Sequence, residues 1–303
     1  MRPDTTGAPG GGGTDARIHN IGYRHYDGPR LGRSYARRSL LVHSLRGAYG
    51  LGRSAKSKVL PFALFAVMCL PAIVMVAVAV TIDLDELPFE YSRYALFMQP
   101  VIGLYLALAA PQLVSLDLRF HTVPLYFSRP VAHRDYVLAK LGALAAALFV
   151  FTGFPLLLMY AGGLLAELGF ADQTRGLAEG LAAAAVFSLL HASLALLIAS
   201  LTPRRGFGVA AIIAALTVPY FAVTTVQFIA AEQGSPEAVA WLGLASPGSL
   251  IDGFQSKFLG GTSDFPDGLV PGDAAGAAYI AVIIGLVAVS YLLLMRRYRK
   301  AGL

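Results

Sequence analysis

The chain has 303 residues, of which 56% are hydrophobic and only 14% are charged, and its mean hydropathy is +0.62. Soluble domains carry about 25% charged residues, so this composition excludes an ordinary soluble protein and indicates an integral membrane protein. The single cysteine, Cys69, lies in an apolar run, which excludes an intramolecular disulfide and a zinc site built from several cysteines.

The first 58 residues are polar and basic. Residues 1–16 are rich in Gly, Pro and Thr and predict a flexible tail, without the Gly-Lys-Ser/Thr ending of a Walker A loop. Residues 17–58 form a basic segment in which residues 33–49 predict a moderately amphipathic helix on the inner leaflet, where Lys and Arg favour anionic headgroups. A solvated basic tail is the alternative. No nucleic-acid partner is expected, because membrane orientation explains the same charges.

Six apolar runs follow, and each is close to the ~20 residues that cross a bilayer as a helix. They lie at about residues 60–81, 95–115, 138–163, 180–201, 207–230 and 274–295. Residues 59–303 therefore predict one all-α transmembrane domain of six helices.

The charges between the runs are distributed unevenly. Of the 24 Lys and Arg residues, 21 lie in the N-terminal segment, the loops after spans two and four, and the C-terminal end; 13 of the 18 Asp and Glu residues lie in the other three loops. The positive-inside rule then places both termini in the cytoplasm and predicts a multi-pass protein of the plasma membrane. This assignment leaves no formal charge deep in the membrane.

The loop after span two, residues 117–140, is short and basic and carries the apolar residues Phe120 and Phe127. Its first part, residues 117–127, predicts a short surface helix. A small cytoplasmic surface that combines apolar and basic residues is typical of a docking site for a soluble partner.

The second part of this loop predicts the start of span three. Ser128 can cap a helix, Pro130 suits its first turn, and Asp135 lies near its positive end. We therefore expect the helix to begin at Pro130 and then enter the bilayer.

The longest loop on the acidic side, residues 232–273, follows span five. It contains an amphipathic stretch at residues 250–259, which predicts a short helix at the outer interface, with Trp241 at headgroup depth.

Few polar side chains lie inside the spans. His191 is an ionisable residue in span four, and such a residue indicates substrate contact or proton handling. The alternative is a hydrogen bond between helices, which also accounts for glutamines such as Gln99, Gln112 and Gln227.

Enzymatic activity within the chain is not expected. The sequence lacks the HExxH motif of zinc proteases and the GxSxG nucleophile elbow, so we assign no catalytic or metal-binding residue. Ion-coupled carriers usually hold Asp, Glu or Arg in mid-membrane. Because the spans have none, the energy for any active transport would come from outside this chain.

Three segments resemble the membrane subunit of bacterial ATP-binding-cassette transporters of the type-2 exporter class, and within it a group of actinobacterial permeases. They are IGYRHYDGPRLGRSYARRSL at residues 21–40, LRGAYGLGRSAKSKVLP at 45–61 and YFSRPVAHRDYVLAK at 126–140. The last is similar to the family's Leu-Ser-Arg-Pro-(Val/Ile)-Ser-Arg-x-x-Tyr pattern, from which Ala132 and His133 depart. Six spans with both ends inside agree with the resemblance, which covers nearly the whole chain beyond residue 16.

The resemblance implies a permease dimer, formed with a second copy or a sister permease, that encloses a translocation path. Two copies of a separate ATPase subunit would dock beneath it, and ATP and Mg²⁺ would bind there, so this chain needs no cofactor. The amphipathic N-terminal helix would be the elbow helix, and the loop after span two would be the coupling helix. The residues expected to face the ATPase are Asp117, Arg119, Phe120, Phe127, Arg129 and Arg134.

Spans two and five would line the path in this family. In this chain, the candidate path-lining residues are Gln99, Tyr105, Gln112, His191, Tyr220, Thr224 and Gln227. These polar groups among apolar neighbours suggest an amphipathic or hydrophobic cargo, such as a lipid or a small drug-like molecule. The competing function is a non-transport membrane scaffold or sensor, in which the basic N-terminal segment is the docking site.

Overall fold

The computed structural model describes Gly28 and residues 31–82, 84, 86–120, 122–127, 131–202 and 205–301. Residues 32–303 form one compact unit, and residues 1–31 form another, of which only Gly28 and Leu31 are described. The predicted tail at residues 1–16 therefore lies outside the described residues.

All regular elements in the described part of the chain are helical, as the sequence predicts. Two 3₁₀ turns, Gly243–Ala245 and Pro266–Gly268, accompany the α-helices. The α-helices are α1 (Arg33–Ala48), α2 (Ala55–Thr81), α3 (Tyr94–Phe97), α4 (Gln99–Leu113), α5 (Ser115–Arg119), α6 (Val123–Phe127), α7 (His133–Leu165), α8 (Phe170–Leu201), α9 (Arg205–Glu232), α10 (Pro236–Leu242), α11 (Pro247–Phe258) and α12 (Asp273–Ala301).

Six of these helical segments are long and apolar enough to cross a membrane, which confirms the six predicted spans. Span two consists of α4 and α5, which meet at Val114. Span four begins at Phe170, ten residues before the predicted start, because the helix continues into the polar stretch that precedes the apolar run.

Spans two, three and four form the centre of the fold. Between 56% and 61% of the residues in their most apolar windows are buried, whereas the corresponding share is 28% for spans one and six and 17% for span five. Hydrophobic burial gives little driving force between helices in lipid, so the three outer spans can leave apolar faces to lipid or to another protein.

The first helix, α1, lies where the sequence predicts a helix, and it packs against α7. Its most buried residues are Leu40, Ser44 and Ala48, which recur every fourth position and so share one face. The sequence places the larger apolar side chains Leu41 and Leu45 on a neighbouring arc of the helix, and in the structure they are half-buried beside this face. The small side chains of Ser44 and Ala48 explain the shift, because they let two helices approach closely.

The long loop after span five folds into α10 and α11. The Ser246 hydroxyl accepts a hydrogen bond from the backbone N–H of Ser249 at 3.1 Å, and Pro247 occupies the first helical position, so the local sequence explains where α11 starts.

The packing of α11 differs from the expectation of an interfacial helix. Both its apolar residues Leu250 and Ile251 and its polar residues Asp252 and Gln255 are buried, and the helix packs against α8, α9 and α12. The difference arises because the loop itself supplies hydrogen-bond partners for the polar face, which therefore does not need water. Trp241 is half exposed, and its headgroup depth stays a prediction.

Close packing between span one and span three depends on Gly162. A Cβ atom at this position would overlap the side chain of Val76 on α2.

We expect Gly162→Ala to destabilise the protein by roughly 1–3 kcal/mol, because overpacking forces the two helices apart. The measurement is the free energy of unfolding in mixed detergent–SDS micelles. Gly142→Ala on the same helix is the matched control, because its Cβ would contact Leu41 at an ordinary 3.6 Å. Equal losses in both variants would contradict this interpretation.

Candidate functional site

Parts of the chain that are distant in sequence meet at one end of the bundle. Arg33 of α1 lies 2.6 Å from Asp135 at the start of α7, and the rings of Tyr136 and Tyr298 lie 4.8 Å apart, which brings α12 to the same place. We call this the basic end. The charge distribution predicts that it faces the cytoplasm.

The centre of the basic end is a largely buried ion pair between Asp117 of α5 and Lys140 of α7. The Lys140 Nζ lies 2.9 Å from Asp117 Oδ2, and the two side chains are 8% and 17% exposed. The same carboxylate oxygen accepts a hydrogen bond from the Tyr136 hydroxyl at 2.5 Å. Thr122 donates a longer one, 3.3 Å, to the other oxygen. Asp117 therefore connects spans two and three instead of presenting its charge to a partner.

Arg119 and Phe120 lie two and three residues after Asp117 and are exposed. The Phe120 side chain is 63% exposed, and the Arg119 guanidinium lies 5.7 Å from the centre of its ring. A cation held over an aromatic face forms a compact basic and apolar contact point. Because Asp117 fixes the end of α5, this contact point has a defined position.

The other predicted partner-facing residues have different surroundings. Phe127 is half-buried, with its ring centre 3.9 Å from that of His133 and 5.9 Å from that of Tyr136. Arg134 is exposed but lies beside α12. Arg129 lies outside the described residues. Among the described members of this set, Arg119 and Phe120 are the two that form an exposed pair.

The start of span three differs from the prediction. The helix begins at His133, three residues after Pro130, and Val131 and Ala132 are not helical. Asp135 still lies in the first turn, where its carboxylate accepts a weak hydrogen bond of 3.4 Å from the Ala132 N–H. Ser128 and Pro130 lie outside the described residues, so the helix cap proposed at Ser128 stays a prediction.

Asp135 also joins α1 to span three. Its buried carboxylate accepts a hydrogen bond from Arg33 Nε at 2.6 Å and lies 3.9 Å from Arg37. At the other end of α1, the Tyr49 hydroxyl donates to the backbone carbonyl of Ala147 at 2.7 Å. These contacts hold α1 along α7, so a movement of α7 would also move α1.

Two of the candidate path-lining residues meet at the opposite end of the bundle. We call it the acidic end, because the loops there carry most of the Asp and Glu residues. Gln99 and Tyr220 line a cavity of about 250 Å³ together with Arg93 and Asp264, which form an ion pair. The Gln99 amide donates to the Leu216 carbonyl at 2.9 Å, whereas its oxygen has no hydrogen-bond partner among the described residues. This cavity combines apolar walls with a polar edge, as an amphipathic ligand requires.

Gly248 is necessary for this arrangement. A Cβ at Gly248 would lie 2.5 Å from the Tyr220 ring and 2.8 Å from the Gln99 oxygen, so only glycine lets α11 approach them this closely.

The remaining path candidates are engaged in packing. Gln227 donates to the Val239 carbonyl at 2.9 Å, and Gln112 accepts from Arg53 at 3.0 Å. The Thr224 hydroxyl donates to the carbonyl of residue 220 in its own helix. Tyr105 is buried and stacks on Phe151, and buried His191 stacks on Phe187, whose carbonyl lies 3.0 Å from Nδ1. Gln227 and Gln112 thus bond to other segments of the chain, as the helix-packing alternative expects. The contacts of Thr224 and His191 lie within their own helices, and the His191 Nε2 has no hydrogen-bond partner among the described residues.

The sequence did not single out Asp252, which is the centre of a buried network at the acidic end. Its carboxylate accepts hydrogen bonds from the Ser263 hydroxyl at 3.2 Å and the Asp264 N–H at 3.0 Å. Burial raises the pKa of this carboxyl to about 7, although Ser263, Arg93 and Gln255 oppose the rise. No sequence signal marked this residue, because Asp252 lies on the polar side of the amphipathic stretch, where a solvated carboxylate is expected.

No family model matches this chain, and no curated protein matches it either.

The ion pair at the basic end can be tested by a double-mutant cycle. We expect Asp117→Asn to lower the free energy of unfolding by about 3 kcal/mol, because it leaves the charge of Lys140 buried without a partner. Lys140→Met in the same chain should restore much of the loss. Unfolding in mixed micelles measures both effects. The control is Glu179→Gln, which removes an exposed pair with Arg175 and should change little. Strictly additive effects at residues 117 and 140 would exclude the coupling.

The burial of Asp252 predicts a pH-dependent stability. Its pKa in the folded chain, about 7, exceeds the unfolded value of about 3.9, so the folded state retains a proton that the unfolded state has lost. The free energy of unfolding should therefore fall as the pH rises from about 4 to about 7 and change little above that. Asp252→Asn should flatten this part of the profile in thermal unfolding experiments. Asp267→Asn, at an exposed position, should keep the wild-type slope; the same slope in Asp252→Asn would show that another group is responsible.

Proposed function

We propose that this chain is the transmembrane permease subunit of an ATP-binding-cassette exporter, coupled to a separate ATPase subunit at the basic end. The observation that carries the proposal is the exposed pair Arg119 and Phe120 on a short helix that a buried ion pair fixes to the bundle. An apolar and cationic contact point with a fixed position is suited to bind a soluble partner and to receive a force from it.

The contacts around this pair provide a route for that force. Asp117 lies two residues before Arg119, and it contacts Lys140 and Tyr136 of span three. Tyr136 in turn packs against Tyr298 of span six. Closure of an ATPase pair that pushes on Phe120 would thus move the ends of spans two, three and six together.

The permease would act as a dimer, with a second copy or a sister permease. The sparsely buried spans one, five and six offer apolar faces for that contact. ATP and Mg²⁺ would bind the partner ATPase. Exit of an amphipathic cargo would occur at the acidic end, where Gln99 and Tyr220 line the cavity beside Arg93 and Asp264.

The coupling contact is tested by the double variant Arg119→Ala, Phe120→Ala. The tagged permease is purified from its native membranes in mild detergent, subunits with a Walker A motif are identified by mass spectrometry, and ATP hydrolysis is measured. We expect ATPase recovery to fall by about 30-fold, since a central aromatic and arginine pair typically contributes 2 kcal/mol or more to an interface. Membrane insertion and the unfolding midpoint should be unchanged, because both side chains are exposed.

The matched control removes one aromatic ring and one guanidinium elsewhere. Tyr35→Ala with Arg38→Ala changes two exposed residues on α1 and should retain the ATPase. The proposal would be refuted if no ATPase co-purified with the wild-type permease in any detergent or nanodisc preparation. If a partner then bound residues 17–58, the scaffold alternative would replace it.

A further inference from the structure

A groove at the basic end lies between the start of α7 and the last four turns of α12. Its volume is about 550 Å³, and its walls are apolar at one end and cationic at the other. The lining residues are Arg134, Val289, Tyr291, Leu292, Leu293, Met295, Arg296 and Arg299.

The lining residues of α12 follow one helix face. Val289, Leu292, Leu293, Arg296 and Arg299 are spaced by three, one, three and three residues, which places them along one side of the helix. The three apolar side chains are between 40% and 58% exposed. Since each residue advances the helix by about 1.5 Å, the arginines begin roughly 5 Å beyond the last leucine. The surface therefore changes from apolar to cationic along the helix axis, as a bilayer changes from acyl chains to phosphates.

The three arginines are available to bind an anion. No carboxylate lines the groove, and Arg134, Arg296 and Arg299 make no ion pair with any residue that the structure describes. The nearest acid in sequence, Asp135, is buried and paired with Arg33 at 2.6 Å. Guanidinium groups bind phosphate oxygens through two parallel hydrogen bonds, which makes such a cluster well suited to a phosphodiester.

We propose that this groove binds one anionic phospholipid. Its phosphodiester would contact Arg134, Arg296 and Arg299, and an acyl chain would lie along Val289 and Leu292. The apolar wall favours a lipid over a soluble phosphate compound. The absence of an acidic group among the lining residues favours an anionic headgroup over a zwitterionic one, whose ammonium would find no partner. Arg134 is then a lipid contact instead of a contact to the ATPase.

Native mass spectrometry of the full chain in mild detergent tests the proposal, with dioleoyl phosphatidylglycerol and dioleoyl phosphatidylcholine as probes. We expect one phosphatidylglycerol to be retained per chain in preference to phosphatidylcholine. Arg296→Gln with Arg299→Gln should weaken phosphatidylglycerol binding by roughly 30-fold, since each basic residue near a headgroup contributes about a factor of five. Arg297→Gln with Lys300→Gln removes the same charge from the same helix outside the groove, and should change binding by less than about 3-fold.

A second measurement separates a lipid from a soluble anion. Leu292→Ser keeps all three arginines and should still weaken phosphatidylglycerol binding, whereas millimolar inorganic phosphate should not displace the lipid from the wild-type chain. Equal binding of the two lipids, equal effects of the two double variants, or displacement by phosphate would each overturn the proposal. The proposal would also be overturned if the double variant Arg296→Gln, Arg299→Gln lost the ATPase but still bound the lipid, because the groove would then be a contact to the protein partner. Lipid binding is measured without an ATPase, so it can fail independently of the proposed function.

Discussion

A formal charge in hydrocarbon costs several kcal/mol unless it is paired, and the arrangement of this chain follows from that constraint. The charged side chains of the six spans lie near the ends of the helices. The most buried ion pair, Asp117 with Lys140, connects span two to span three. Each charge alone would be costly inside the bundle, whereas the two are paired and Asp117 also accepts a hydrogen bond from Tyr136. The ion pair therefore determines how the segment between spans two and three is held.

The two ends of the bundle use charge differently. At the basic end, the buried acids Asp117 and Asp135 are paired with Lys140 and Arg33, and other arginines stay exposed. At the acidic end, Asp252 is buried without an ion pair among the described residues and is satisfied by hydrogen bonds from its own loop. The first arrangement leaves a cationic surface, and the second produces a carboxyl group whose pKa is raised by burial.

The exposed surface at the basic end has two parts with distinct chemistry. Arg119 and Phe120 form a small contact point that projects from a braced helix, which is suited to a protein partner. Arg134 lies instead beside an apolar helix face with two further arginines, which is suited to a phospholipid. A lipid bound there would contact span three close to the segment that the ATPase is proposed to push, so lipid composition would influence coupling.

The sequence by itself determined the six spans, because they depend on long local hydrophobic runs. It also placed a helix at α1, although contacts with α7 decide which face of that helix is buried. It also determined the uneven charges from which we predict orientation. The tertiary structure decided how individual polar residues are used. Asp117 looked like a partner-facing charge until Lys140, 23 positions later in the chain, proved to lie beside it. Residues 250–259 predicted an interfacial helix, but Ser263 and the Asp264 N–H satisfy its buried acid, so the polar face turns inward. Such pairings depend on distances between remote segments, which hydropathy and spacing do not encode.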